Sequence, residues 1–389
     1  MDAIQQGTLA LVKAAITGKA CALPEGFEIE QAADMIRRHK IIGLAYEGAV
    51  KCGIDKQCST MKEMFQRYYG DIIRHDRQMQ LLKKLEAAFQ ENGIDYLPLK
   101  GTILKPLYPQ PAARVMGDAD ILIREEQKDM FTPVMEQLGF EKGPESDHEL
   151  HWYHPWLHAE LHRWIVPKSS IDLYRYFETG WKKAIPSSGS RYTFREEDHF
   201  IFLFVHYAKH YRGGGIGLRQ LVDLWIYQRA NPNMDMDYIH EELSKLKLQE
   251  FFNNTQRMLS AWFEDSKLDE KAAFMSNYIW NSGSWGSSET HQTAEGVSAE
   301  KTAGSRTKSR LAYLSQVIFP PVNILKNRYP ILVKKPWLLP LLWPVRWVSA
   351  LLFRHKNIGN YATIIKNRSA EKTDAYLQQL QYVGLDYDF

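Results

Sequence analysis

Cysteine is scarce in this chain: Cys21, Cys52 and Cys58 are the only three among 389 residues, unevenly placed and with no C-x-x-C pair. That excludes a disulfide framework and the usual thiolate spacing of zinc sites, and it fits a reducing compartment. The stretch MDAIQQGTLALVKAAITGKA lacks a basic cluster ahead of its apolar residues and carries an acidic second residue and an internal Lys. It therefore reads as an amphipathic helix rather than a secretory signal. Acidic residues are missing altogether from residues 301–370, which hold 13 Lys or Arg; with a chain total of +3, the remainder carries −10. So basic a segment seeks an anion: a nucleotide or nucleic-acid phosphate, an anionic lipid surface, or the acidic remainder of the same chain.

A long unbroken apolar run is also missing. The stretch from Pro336 to Phe353 approaches the lower limit for a membrane span, but Pro336, Pro340 and Pro344 interrupt it and Arg346 would carry a charge into hydrocarbon. No transmembrane span is expected. Trp337, Trp343 and Trp347, set between Lys334 and Lys335 on one side and Arg354 and Lys356 on the other, suit either burial against the chain or peripheral contact with an anionic membrane. The compensating −10 elsewhere favours burial, hence a soluble, cytoplasmic protein.

Hydrophobic residues make up 44% and charged residues 24%, close to globular averages, and 389 residues exceed what one core usually serves. Apolar residues at three- and four-residue spacing predict a helical region over 1–92, ending at Asn92-Gly93. Residues 93–185 read as a mixed core: a short strand ending at Lys100-Gly101, a helical turn, a Pro-rich loop, the strand DADILIR, a helix, and a hairpin turning at Pro155. A helical lobe follows over 186–280. Residues 281–309, rich in Gly, Ser and Thr, read as a flexible linker, and 310–389 as a basic, Trp-rich C-terminal region. The fold class expected is α+β.

The stretch YLPLKGTILKPLYPQPAARVMGDADILI raises the chemical question, because Asp118 and Asp120 are like charges one residue apart at a strand entry. Residues two apart on a strand share a face about 6.6 Å along the chain, close enough for both carboxylates to lean on hard cations such as Mg²⁺. Upstream, Lys100 and Arg114 offer charged donors, and Gly101, Thr102 and Ile103 open a helix whose N–H groups would favour an anion. Glu160 in LHAELHRW supplies a third carboxylate on a neighbouring strand, as metal ligand or base, with Asp172 as its rival. Each has a plainer reading: turn or cap chemistry for the aspartates, a surface position for Lys100, a simple ion pair for Arg114. His206 and His210, four apart on a helix, suggest packing more than zinc, and Arg219 and Asp223 suggest a helix-surface ion pair.

The ordered set LKG, Arg114, GDADIL and AELH resembles the polymerase-β-like nucleotidyltransferase superfamily, and more narrowly an uncharacterised bacterial nucleotidyltransferase-like family with Lys-Gly at its turn. HYAKH, LRQLVDL and RYPILVKKPWLLPLLWPVRW extend the resemblance over about residues 30 to 353. It implies a small mixed sheet with helices, flanked by helical regions. It also implies a transferase that moves a nucleoside monophosphate from an NTP, ATP among them, to a hydroxyl acceptor in a protein, an RNA or a small molecule. Two Mg²⁺ ions would be bound by Asp118, Asp120 and Glu160, and the nucleotide by Lys100, Gly101, Thr102 and Arg114. The sequence departs from the superfamily in having Lys100-Gly101-Thr102 where a Gly-Ser turn is usual. The alternative is a non-catalytic member acting as a nucleotide sensor or membrane-surface module.

Overall fold

The computed structural model describes residues 1–168, 170–264 and 266–283, and beyond these residue 294 and residues 318–319, 322–325, 329, 331–353 and 370–385. Most of the linker expected over 281–309 and much of the basic segment therefore lie outside the described residues. The chain divides into two compact units. One comprises Met1–Tyr211, Gly215–Trp285 and Tyr382–Phe389; the other comprises Arg212–Gly214 and Gly286–Gln381.

The larger unit opens with four helices, α1 (Ala3–Thr17), α2 (Ile29–Arg38), α3 (Ile42–Lys51) and α4 (Ser59–Glu91). Asp2 and Gln5 close a reciprocal capping box on α1, which satisfies otherwise orphaned N–H groups. The chain leaves α4 through Gly93, whose φ of 63° is easy only for glycine. β1 (Tyr96–Pro98), the single helical turn α5 (Gly101–Leu104), β2 (Asp118–Ile123) and α6 (Lys128–Gln137) follow. β3 (Glu141–Glu145), β4 (Glu149–Tyr153), β5 (His158–His162), α7 (Ile171–Phe177), β6 (Ala184–Ser188) and β7 (Arg191–Phe194) complete the mixed region. α8 (Glu196–Arg212), α9 (Leu218–Ala230), α10 (Met236–Lys245), α11 (Gln249–Phe263) and α12 (Glu270–Ser282) form the helical remainder.

The strands make one mixed sheet in the order β3-β4-β5-β2-β1-β7-β6. β2 runs parallel to β5 and antiparallel to β1. The architecture is α+β, as expected, with the sheet running on to Phe194 through a second hairpin, β6–β7, that sequence reading did not anticipate. β6 is mostly exposed, so it lacks the buried alternating face that marks a strand in sequence.

Alternation decides what each sheet face does. Ala119, Ile121 and Ile123 of β2, Leu150 and Trp152 of β4, and Ala159 and Leu161 of β5 are buried in one core with Leu81, Leu82, Leu85 and Phe89 of α4 and Phe131, Val134 and Met135 of α6. Leu85 is fully buried there, so Leu85→Ala should cost about 2–5 kcal/mol. The intervening residues, Asp118 and Asp120, Glu149 and His151, and His158, Glu160 and His162, therefore project from the opposite face.

In the smaller unit, Pro336–Leu338 forms a 3-10 turn and Leu339–Phe353 a helix containing Pro344. Trp343 and Trp347 pack on Phe319 at 5.0 and 5.3 Å between ring centres, and the Trp347 indole donates to Ile318 O at 2.8 Å. Trp337 is 69% exposed, which corrects the expectation that all three tryptophans are buried. At four-residue spacing Trp337, Leu341 and Val345 share one face, and that face is exposed. Among the described residues no helix is long and apolar enough to cross a membrane.

Candidate functional site

The polar sheet face floors a cavity of about 350 Å³ in the larger unit. Asp118, Asp120, Glu149 and Glu160 of the sheet line it, and Lys40, Lys100, Arg114, Lys209, Arg219 and Asp223 line it from the surrounding elements. Parallel register sets Asp120 opposite Glu160, and antiparallel register sets Glu149 opposite His162. The four carboxylates Asp118, Asp120, Glu149 and Glu160 sit on three adjacent strands, β4, β5 and β2, because each strand alternates apolar and polar residues.

The loop before β2 is fixed by side chains from three other elements. Lys105 Nζ donates to Arg114 O at 2.6 Å, Arg219 Nη1 to Val115 O at 3.0 Å, and Gln78 Nε2 to Met116 O at 3.1 Å. With three successive carbonyls held, Gly117 and Asp118 enter the sheet in one register. A charged donor is worth more than a neutral one, so Lys105 and Arg219 are the stronger holds.

Asp120 is buried, with Lys100 Nζ 2.6 Å and His162 Nε2 2.9 Å from its Oδ1. Burial opposes its ionisation, but the Lys100 ammonium and the His162 bond outweigh it and hold the carboxyl well below the usual range. Glu160 behaves in the opposite way. Burial and the charges of Asp118, Asp120 and Glu149 push it up to about 8. Glu149, although burial opposes its ionisation, is brought down to about 2 by its bond with His148 and by the charge of His162. The floor thus contains one carboxylate with a dedicated cation, and others crowded around it.

Lys100 reaches Asp120 from a backbone at φ 44° and ψ −113°. Glycine adopts that region far more readily, and a side chain there costs of order 1–3 kcal/mol. Gly101, which the resemblance places in the nucleotide site, has ordinary φ. A Cβ on it would lie 3.0 Å from Met116 Cγ and 3.1 Å from Arg114 Nη1. Its smallness therefore makes room for protein, namely Met116 and Arg114. Thr102 stands behind the wall, its hydroxyl donating to Leu99 O at 2.6 Å and its N–H to the same carbonyl. α5 has only four residues and Ile103 N–H already bonds Lys100 O, so little helix dipole remains for an anion.

Arg114 lines the cavity with its fork engaged: Nε to Asp223 Oδ1 at 2.7 Å and Nη2 to Asp223 Oδ2 at 2.9 Å, while Tyr108 donates its hydroxyl to the same carboxylate at 2.7 Å. The helix-surface pair expected between Arg219 and Asp223 is corrected accordingly. Both lie at the cavity, and Asp223 takes Arg114 because a buried carboxylate is best met by a planar two-pronged donor. Arg219 Nε is buried without a hydrogen-bond partner. His206 and His210 pack edge to face at 4.5 Å and also line the cavity; with no third ligand grouped with them among the described residues, they read as packing. Asp172 lies exposed on α7, 3.5 Å from Arg175, and takes no part in the cavity.

Sequence reasoning missed Glu149 and His162. The signal was present: in HELHWYHPWLHAELHRW every second residue, Glu149, His151, Tyr153 and then His158, Glu160, His162, is polar or aromatic, which is the period of one hairpin face.

A family profile described as an uncharacterised nucleotidyltransferase matches residues 25–264, more than half of the chain, and spans every residue of this cavity. No curated protein and no solved structure matches the chain.

Proposed function

The chain belongs to this uncharacterised nucleotidyltransferase family, and from that premise we propose that it moves a nucleoside monophosphate from a nucleoside triphosphate to a hydroxyl acceptor with the help of Mg²⁺. The observation that carries the reading is that one cavity brings the carboxylates of the polar sheet face together with Lys40, Lys100, Arg114, Lys209 and Arg219. Carboxylate oxygens are the donors Mg²⁺ prefers, and cationic side chains are what a triphosphate requires.

The donor set fits the metal. Asp118, Asp120, Glu149 and Glu160 crowd about Lys100, and Glu160 is pushed up to about 8 first by burial and then by the negative charges of Asp118, Asp120 and Glu149, which a divalent cation would offset. Asp118, Asp120 and Glu160 would hold it; when bound, Mg²⁺ would neutralise phosphate charge and orient the reactants.

The acceptor oxygen attacks the α-phosphorus, and the bond from that phosphorus to its bridging oxygen breaks. The electron pair leaves with pyrophosphate, and the hydroxyl proton passes to Glu160 where that carboxylate serves as base instead of metal ligand, Asp118 and Asp120 then holding the ion. Lys100 would exchange Asp120 for a triphosphate oxygen, and the Arg219 guanidinium, with its unpartnered Nε, would take another. Arg114, held by Asp223, would contribute charge and shape.

The test is incubation of the purified chain and a cell lysate with each α-labelled nucleoside triphosphate and Mg²⁺, beside a thermal melt with nucleotide alone. Transfer of label, lost in Asp120→Asn, is expected, and nucleotide at 100 times its dissociation constant should stabilise the fold by about 2.7 kcal/mol. Stabilisation without transfer would convert the reading to a nucleotide sensor, and neither would overturn it.

The exposed face of Trp337, Leu341 and Val345 within the basic segment favours a second, additional reading: peripheral contact with an anionic membrane. Co-sedimentation with anionic vesicles at about 0.15 M salt, lost in Trp337→Ala, is the expected result; retention in the supernatant would remove it.

A further inference from the structure

The hairpin β4–β5 carries two histidines that nucleotidyl transfer does not use, beside Glu160, which it does. His151 Nδ1 lies 3.1 Å from His158 Nε2 and 3.5 Å from Glu160 Oε1, and one ligand atom from each of the three residues falls within 4.8 Å of the others. All three side chains are partly exposed, so the cluster is reachable from solvent without being loose. The cause is register: antiparallel pairing sets His151 across from Glu160, and His158 precedes Glu160 by two residues on the same face of β5. His151 and His158 lie outside the cavity wall, whereas Glu160 belongs to it.

We propose that His151, His158 and Glu160 form a binding site for a borderline divalent transition ion of the Zn²⁺ class, distinct from the carboxylate site for Mg²⁺ and adjoining it through Glu160. Zn²⁺ bonds imidazole nitrogen at about 2.0–2.1 Å and carboxylate oxygen at about 2.0–2.2 Å, which sets tetrahedral ligand-to-ligand edges of about 3.3–3.5 Å. The separations of 3.1 and 3.5 Å from His151 Nδ1 bracket that value. Imidazole selects such ions, while Mg²⁺ prefers oxygen donors and keeps its waters. Two histidines and one carboxylate leave the fourth position for water or a substrate atom, the pattern of an open site rather than a sealed structural one. The competing arrangement is a plain hydrogen bond between the two rings, which would need one nitrogen protonated and no metal.

The inference is independent of nucleotidyl transfer, because it is read by metal binding without nucleotide. The full chain, stripped of metal, is titrated with Co²⁺ and followed by the visible absorption of the tetrahedral ion. A saturable band is expected, displaced by Zn²⁺, retained in large excess of Mg²⁺ and retained in Asp118→Asn. His151→Ala and His158→Ala should each weaken Co²⁺ binding by about tenfold or more while the thermal midpoint without metal stays near that of the parent chain. Absence of the band, its displacement by Mg²⁺, or its survival in both histidine variants would overturn the site. Should either alanine variant unfold, His151→Gln and His158→Gln provide the same comparison, and the Mg²⁺ competition decides on the parent chain alone.

Discussion

Two buried aspartates face one cavity and do different work. Asp223 meets three donors whose geometry is complete: two nitrogens of the Arg114 fork and the Tyr108 hydroxyl, all within 2.9 Å. Asp120 meets a flexible lysine and one imidazole, and shares its neighbourhood with Asp118, Glu149 and Glu160. Around Asp223 the charges balance within the protein, whereas around Asp120 the carboxylates outnumber the Lys100 ammonium. A balanced buried cluster is architecture; an unbalanced one at a cavity wall calls for a ligand. Burial alone does not separate the two, since both side chains are less than 10% exposed.

The largest effect that tests this contrast is on transfer. Asp120→Asn should reduce label transfer to background, while Asp223→Asn, which keeps a partner for Arg114, should leave measurable transfer; equal loss in the two would erase the distinction. On stability the order reverses. Asp223→Ala strands the buried Arg114 guanidinium and should cost about 3–5 kcal/mol in a urea titration, part of it recovered when Arg114→Met is added. No recovery in the double variant would mean the cost lies in packing.

Glu160 sharpens the comparison through pH. Its folded value of about 8 lies above the ordinary 4.5, so its protonated form stabilises the fold; that contribution is present below about 4.5 and is lost as pH rises toward 8. Glu160→Gln should flatten this decline in the metal-free melt, and Mg²⁺ should stabilise the parent chain increasingly over the same window as it displaces the proton. An unchanged slope in the variant would show that Glu160 does not titrate there. Lys100→Met should weaken nucleotide binding, measured by calorimetry, by about 1.5–3 kcal/mol, the range for a charged hydrogen bond. Unaltered affinity would return Lys100 to a purely internal role. Smallest of all, Asp172→Asn, on an exposed helix, should change stability and transfer by no more than about 0.5 kcal/mol, and a larger loss would reopen it as the third carboxylate.

Gly101 shows why contacts must be seen before a variant is chosen. Gly101→Val, the obvious probe of a nucleotide site at this turn, would press on Met116 and on Arg114 Nη1 and so disturb the Asp223 cluster first. A stability loss of about 1–3 kcal/mol is expected from overpacking alone.

The sequence by itself determined the helical opening, the strand that presents Asp118 and Asp120, the hairpin that presents Glu160, and the absence of a disulfide framework. These are local properties: helical spacing, strand alternation and turn chemistry act over a few residues and leave their period in the chain. Only the tertiary structure decided that Lys100 neutralises Asp120, that Arg114 belongs to Asp223, 109 positions away, that Glu149 joins the floor, and that His162 bonds Asp120. Charge pairing acts through space, and a lysine or arginine carries no mark in sequence of which carboxylate the fold will bring to it. The same holds for the positive φ at Lys100 and the ordinary φ at Gly101. A strand-to-helix turn fixes which residue bears the strain, because that depends on the angle at which the chain must leave the sheet rather than on which residue would bear it most cheaply.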